Sequence, residues 1–114
     1  MSLQYQVHNQ DFATLPQIAP GDLRTIAADG YKSVINNRPD FEGGPTQPMN
    51  AEFIESAMNQ GLTYVYLPVV TGKITDANVT EFAKLIEDLP KPIIAFCRTG
   101  TRSTALYGMA LRKV

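Results

Sequence analysis

A lone cysteine ends an apolar run and opens a polar turn in Phe96-Cys97-Arg98-Thr99-Gly100-Thr101-Arg102-Ser103. Ile93-Ile94-Ala95-Phe96 reads as a buried strand, and a helix opens near Arg102. The loop between them would aim its backbone N–H groups at one point, with the partial positive charge of the helix N-terminus behind them. Such a loop holds an oxyanion, and its dipoles favour the thiolate of a cysteine at its mouth. Gly100 permits a positive φ and a close approach of backbone to ligand. Arg102 offers a fork of donors to two oxygens of a phosphate, sulfate or thiosulfonate. Cys97 and Arg102 are therefore the expected catalytic pair, with Arg98, Thr99, Gly100, Thr101 and Ser103 as the anion-binding loop. Ser103 and Thr104, in the first helical turn, are placed to cap the helix or to hydrogen-bond the sulfur.

The plainer alternative is that a cysteine at a strand end is a small buried hydrophobe. Against it stands the turn itself. Of the six residues after Cys97, five are Arg, Thr or Ser and one is Gly, which is poor core material and good anion-loop material.

The elements that must position this loop alternate along the chain. Gln4 to Leu15 is polar and mixed and would give one or two short edge strands. Gly21 to Gly30 reads as a helix with Leu23, Ile26 and Ala27 inward and Gly30 as its stop. Ser33-Val34-Ile35-Asn36 is a short buried strand, followed by the turn Asn37-Arg38-Pro39-Asp40 and a loop rich in Gly and Pro. A second helix is expected with Asn50 as N-cap, Phe53, Ile54, Ala57 and Met58 on one face, and Gly61 at its end. Tyr64-Val65-Tyr66-Leu67 is the next strand. Val69 to Lys73 then leads to a third helix capped by Thr75, with Val79, Phe82, Ala83, Leu85 and Ile86 inward. Pro90 and Pro92 close it. The last helix carries Ala105, Leu106, Met109 and Ala110. The pattern implies a single α/β domain over residues 1–114, with a mostly parallel twisted sheet flanked by helices. Ligands bind beyond the carboxyl ends of the strands in such sheets, which is where Cys97 stands.

Composition narrows the function classes. The chain has 114 residues, 44% hydrophobic and 18% charged, with a net charge of −1. No basic stripe suggests nucleic acid, and no apolar run approaches the roughly 20 residues that span a bilayer. The first residues lack the pattern of a secretion signal, so the expected location is cytoplasmic. A single Cys forms no intrachain disulfide, and one His beside one Cys makes a metal site an unpromising route. No metal or other cofactor is expected. The chain stops within or just after its last helix, so it is also readable as one domain of something longer.

The Cys97 loop resembles those of two families. Protein-tyrosine and dual-specificity phosphatases have His before the cysteine and Arg six positions after it. In rhodanese sulfurtransferases the loop is one residue shorter, and bacterial members often read Cys-Arg-Ser-Gly-x-Arg-Ser. Here Arg102 lies five positions after Cys97 and Phe96 replaces the His, so the loop is similar to the rhodanese one. The rest of the chain lacks the rhodanese signatures. Asn36-Asn37-Arg38-Pro39-Asp40, Leu67-Pro68-Val69 with Ile74-Thr75, and the Cys97 loop together resemble, over almost the full length, the phosphatase-like domain of beta-lactamase-hydrolase-like proteins. That small bacterial family is also labelled a sulfur transferase. The resemblance implies a fold of the dual-specificity phosphatase type. It also implies a functional link to a metallo-beta-lactamase-fold sulfur dioxygenase, to which members are sometimes fused.

Leaving-group chemistry separates the possible reactions. Hydrolysis of a phosphate ester through a phosphocysteine expels an alkoxide or phenoxide and calls for a general acid. In the resembled fold the acid follows the strand Tyr64 to Leu67, but Val69 to Lys73 contain none. Asp76 reads as first-turn helix charge. Asp40 is either an acid that swings in or, more simply, ordinary turn chemistry after Pro39. Arg38 either lines the anion site or lies exposed. Sulfur transfer from thiosulfate or a persulfide expels a group that needs no proton. The preferred expectation is therefore a sulfurtransferase working through a Cys97 persulfide, with a small anionic donor and a thiol acceptor such as glutathione. Phosphatase activity is the first alternative, and a non-catalytic anion-binding or redox-sensing module the second. His8, the only histidine, reads as a surface or strand-edge residue, and Tyr107 as packing.

Overall fold

In the computed structural model, which describes residues 3–112, the central strands are short and buried throughout, and each sends alternate side chains to opposite faces of one sheet. The five strands are β1 (Gln6–Asn9), β2 (Phe12–Leu15), β3 (Ser33–Asn36), β4 (Thr63–Tyr66) and β5 (Ile93–Phe96). Their order is β1-β2-β5-β3-β4. β2, β5, β3 and β4 run parallel, and only β1 is antiparallel to its neighbour.

The four helices are α1 (Leu23–Ala28), α2 (Asn50–Gln60), α3 (Asp76–Asp88) and α4 (Thr101–Arg112), with a single 3-10 turn at Pro20–Asp22 leading into α1. Ala13, Leu15, Val34, Ile94 and Phe96 face α1 and α2, where they meet Leu23, Ile26, Phe53 and Ala57. Phe12, Ile35, Ile93 and Ala95 face α3 and α4, where they meet Val79, Phe82, Leu106 and Ala110. Two apolar layers around one sheet bury both its faces, as parallel strands require.

Several expectations change. β2 is not an edge strand: it is buried throughout and pairs in parallel with β5, because the hairpin partner β1 takes the edge. Asn50 is the first residue of α2 rather than its cap. The backbone N–H of Met49 donates to Glu52 Oε2 at 2.7 Å, and the Asn50 side chain instead accepts from Tyr64 Oη. Ile54 (44% exposed) and Met58 (77%) are not inward, since only Phe53 and Ala57 reach the core. Met109 of α4 is likewise exposed. Thr75 does cap α3, accepting from the Asn78 backbone N–H at 3.1 Å. No helix of the described residues is long and apolar enough to cross a membrane.

Because the four parallel strands point the same way, their carboxyl ends deliver Gln17, Arg38, Leu67 to Thr71, and Cys97 to a single edge of the sheet. β5, which carries Cys97, is the middle strand. The sheet topology alone gathers the site.

Candidate active site

Cys97 follows β5 directly and is 1% exposed. Its Sγ accepts a hydrogen bond from the Gly100 backbone N–H at 3.1 Å. Gly100 has φ +88, a conformation that costs a residue with a Cβ free energy but lets the loop double back onto the sulfur. The Thr104 N–H donates to Gly100 O at 3.0 Å, which starts α4 directly behind the loop. Thr99 and Thr101 are exposed, and their hydroxyls bond one another at 3.1 Å. Arg98 is exposed too, while its carbonyl accepts from the Gln17 N–H at 3.1 Å and moors the loop to the end of β2.

Arg102, on the first turn of α4, is 8% exposed. Its Nη1 donates to Val69 O at 2.8 Å and to Asn37 O at 3.4 Å, and its Nη2 to Glu42 Oε1 at 3.0 Å. Nε of Arg102 is buried and finds no acceptor among the described residues. Nε and Nη2 form the edge of a guanidinium that binds oxyanions two-pronged. One prong holds a carboxylate of the protein and the other is free to donate.

The turn after β3 supplies the opposite wall. Arg38 is buried, donating from Nε to Glu42 Oε1 at 3.0 Å and from Nη1 to Gln17 Oε1 at 3.0 Å. Glu42 thus bridges two guanidiniums through one oxygen. Its backbone is open to solvent, while its side chain is 23% exposed. Burial alone would push its carboxyl up, but the hydrogen bonds and charges of Arg102 and Arg38 hold it below the usual glutamate range. A cleft of about 520 Å³ opens over this pair, lined from the β3 turn by Arg38, Glu42 and Gly43. Val70 and Thr71 line it from the β4 loop, and Arg98 and Arg102 from the Cys97 loop. Cys97 is not part of the lining and sits covered by the loop it opens. A second lobe of about 380 Å³ shares Thr71 and Arg102 with the first and adds Gly72, Ile74, Thr99, Thr101 and Ala105.

The structure brings Cys97, Arg98, Gly100, Arg102 and Arg38 to one place. It takes others away. Asp40 is not at the cleft: its Oδ1 accepts from the Asn50 N–H at 2.8 Å, where it complements the positive end of α2, and its own N–H donates to Tyr66 Oη. Ser103 donates to Asn37 Oδ1 and Thr104 pairs with Thr14 at 3.1 Å, so neither reaches the sulfur. His8 has the same Thr14 hydroxyl as its partner, at 3.0 Å. Tyr107 packs, stacked on Phe12 at 3.9 Å between centroids. Glu42 went unrecognised in the sequence, where it lies in the irregular loop between β3 and α2. Among the described residues no cluster of His, Cys, Asp and Glu could hold a metal ion.

Residues 4–113 match the family described as "Beta-lactamase hydrolase-like protein, phosphatase-like domain". A beta-lactamase hydrolase-like protein of Agrobacterium fabrum is 38% identical over 92 residues, which is 81% of this chain and 21% of that protein. Its namesake from Xylella fastidiosa is 33% identical over 102 residues, 90% of this chain and 23% of that one. The chain therefore spans between a fifth and a quarter of these curated relatives. Among solved structures, one from Neisseria meningitidis, described as a candidate phosphatase, superposes with TM-score 0.80 and 35% identity. The match covers 88% of this chain and 70% of that one. The core catalytic domain of a PP-IP phosphatase from S. cerevisiae superposes with TM-score 0.71 at 15% identity, covering 96% and 64%. At that identity it speaks for the fold alone, which is that of the protein-tyrosine phosphatases.

Proposed function

This chain belongs to the phosphatase-like domains of beta-lactamase hydrolase-like proteins, and on that footing we propose that it is a cysteine-dependent phosphatase acting through a Cys97 phosphocysteine. The observation that carries the proposal is the guanidinium of Arg102. It stands on the first turn of α4, directly after the loop whose amide binds Cys97 Sγ, and one donor of its two-pronged edge is uncommitted. An ester phosphate on that edge, ringed by the loop amides, presents phosphorus to the sulfur. Arg102 and the helix N-terminus then stabilise the charge that gathers on the equatorial oxygens. Arg38 and Arg98 steer the anion in.

This ordering reverses the preference for sulfur transfer drawn from the missing acid in the β4 loop, because the family and the N. meningitidis relative both favour phosphate chemistry. Sulfur transfer stays as a second reading. It is favoured by the five-position spacing from Cys97 to Arg102 and by a Glu42 carboxyl held ionised in the free site. In that reading thiosulfate or a persulfide donates to Cys97, a thiol such as glutathione accepts, and a sulfur dioxygenase is the functional partner.

One preparation distinguishes the two. Aryl phosphate hydrolysis and thiosulfate-to-cyanide transfer are assayed side by side, and intact-mass analysis of acid-quenched protein identifies the group on Cys97. A phosphoryl increment with ester turnover supports the proposal. An added sulfur atom, with no ester turnover, overturns it in favour of the second reading.

A further inference from the structure

Resting on the phosphatase reading, we infer that Glu42 is the proton donor and acceptor of this site, in place of the acid that the β4 loop lacks. Among the residues lining the cleft it is the only carboxyl. The fold commits its neighbours elsewhere: Asp40 to the N-terminus of α2, and Val70 and Thr71 bring no acid from across the cleft.

The backbone around Glu42 is built to bring it in. Phe41 has φ +69, the one non-glycine residue in the left-handed region among those described, and it is 67% exposed. A strained aromatic left in solvent is not there for packing. It turns the chain so that Glu42 points back at Arg102, with the Glu42 N–H closing on Pro39 O at 3.2 Å and the Gly44 N–H on Phe41 O at 3.0 Å. Gly43 then passes so close to Arg38 that a Cβ there would stand 2.5 Å from Nη2.

In the free site Glu42 is paired with Arg38 and Arg102. A bound ester shares those guanidiniums and adds negative charge beside the carboxylate, which favours the carboxylic acid. The other charged group on the cleft is Arg98, while Cys97 lies beneath the loop and is not part of the lining. The Cys97 thiolate forms a bond to phosphorus as the bond from phosphorus to the ester oxygen breaks. That oxygen takes the electron pair and the proton of Glu42 and leaves as an alcohol. In the second half a water gives its proton to the Glu42 carboxylate and its oxygen to phosphorus. The P–S bond breaks, and thiolate and inorganic phosphate are released. Atoms, protons and charge balance over the cycle with water as the only co-reactant.

The test is a leaving-group series on the whole chain, from p-nitrophenyl phosphate to phenyl phosphate and an alkyl phosphate, with wild type, Glu42→Gln and Glu42→Asp. If Glu42 donates the proton, Glu42→Gln loses about a hundredfold or more in kcat/KM on the poor leaving groups, within the range for general acids. It should lose far less on p-nitrophenyl phosphate, and the basic limb of the kcat profile, which reports the ester-bound enzyme, should vanish. Glu42→Asp, which keeps a carboxylate beside Arg38 and Arg102, should show a weaker version of the same slope. An equal loss on every ester, with the basic limb intact, would reduce Glu42 to a residue that positions Arg102 and would overturn the inference. Wild type that turns over no ester yet sulfurates Cys97 would instead remove the phosphatase reading itself.

Discussion

Oγ of Ser103 donates to Oδ1 of Asn37 at 2.8 Å, and both residues are fully buried. Asn37 thereby joins three loops. Its Nδ2 donates to Leu67 O after β4, its N–H donates to Phe96 O at the end of β5, and its carbonyl accepts from the Val69 N–H and from Arg102 Nη1. The Asn37 side chain thus ties the first turn of α4 to the loop after β4, and adds to the backbone bond by which Gln17 moors Arg98.

Asn37→Ala removes the side-chain half of that junction and leaves Ser103 Oγ, which is buried, and Leu67 O, which is part-buried, without it. Each unsatisfied buried group costs about 1–3 kcal/mol. The expected loss of stability is about 2–4 kcal/mol in urea unfolding, and Ser103→Ala should lose roughly half as much. A loss below about 0.5 kcal/mol, the size of an ordinary surface change, would show that the loops hold without Asn37.

How much of this was legible in the sequence follows from which forces leave a periodic trace. β3 and β5 were read with their observed bounds because buried parallel strands leave short apolar stretches, Val34-Ile35 between Ser33 and Asn36 and the whole of Ile93 to Phe96. Cys97 and Arg102 stood out because a polar turn interrupts one of those runs. The face of α2 was misread because Phe53, Ile54, Ala57 and Met58 make a stripe wider than the core needs, and only Phe53 and Ala57 are buried. β2 looked like an edge because nothing in its residues reports that β5 pairs on one side of it. Glu42 was invisible for a different reason. It lies in an irregular loop whose direction is set by a positive φ at Phe41, and no residue pattern marks that.

Cys97→Ser should abolish turnover, by at least about a thousandfold, because the hydroxyl has no adjacent base to activate it. Its volume is nearly unchanged and Gly100 N–H still has an acceptor, so thermal unfolding should shift little. Retention of full activity would refute covalent catalysis by this residue, whichever group it transfers.

Glu42 ties stability to pH. Burial opposes its ionised form, but Arg102 and Arg38 outweigh burial, so its folded value lies below the ordinary 4.5. Such a carboxyl binds fewer protons folded than unfolded, and stability rises with pH across that interval. The contribution is complete above the unfolded value and is lost as pH falls through the folded one. Glu42→Gln should be less stable than wild type at neutral pH by roughly 1 kcal/mol, and the difference should shrink as the pH is taken down through the folded value, below the ordinary glutamate range. Urea titrations at neutral pH and below the folded value measure it. A difference that does not depend on pH would mean that the carboxylate contributes by shape and not by charge.

Arg102→Lys separates charge from geometry at the anion site. The guanidinium divides its work between protein and ligand: Nη1 fixes it to the Val69 and Asn37 carbonyls, Nη2 meets Glu42, and Nε is free to donate. An ammonium keeps the charge but has one nitrogen, so it cannot hold the two carbonyls and meet two oxyanion oxygens together. Inorganic phosphate should bind the lysine variant about ten- to a hundredfold more weakly by calorimetry, the equivalent of about 1.4–2.8 kcal/mol. Stability should also fall, because Val69 O and Asn37 O lose their buried donor. If Arg102 acted only as a point charge in the field of the cleft, the lysine variant would bind phosphate as tightly as wild type. The two-pronged edge would then have no part in holding the anion.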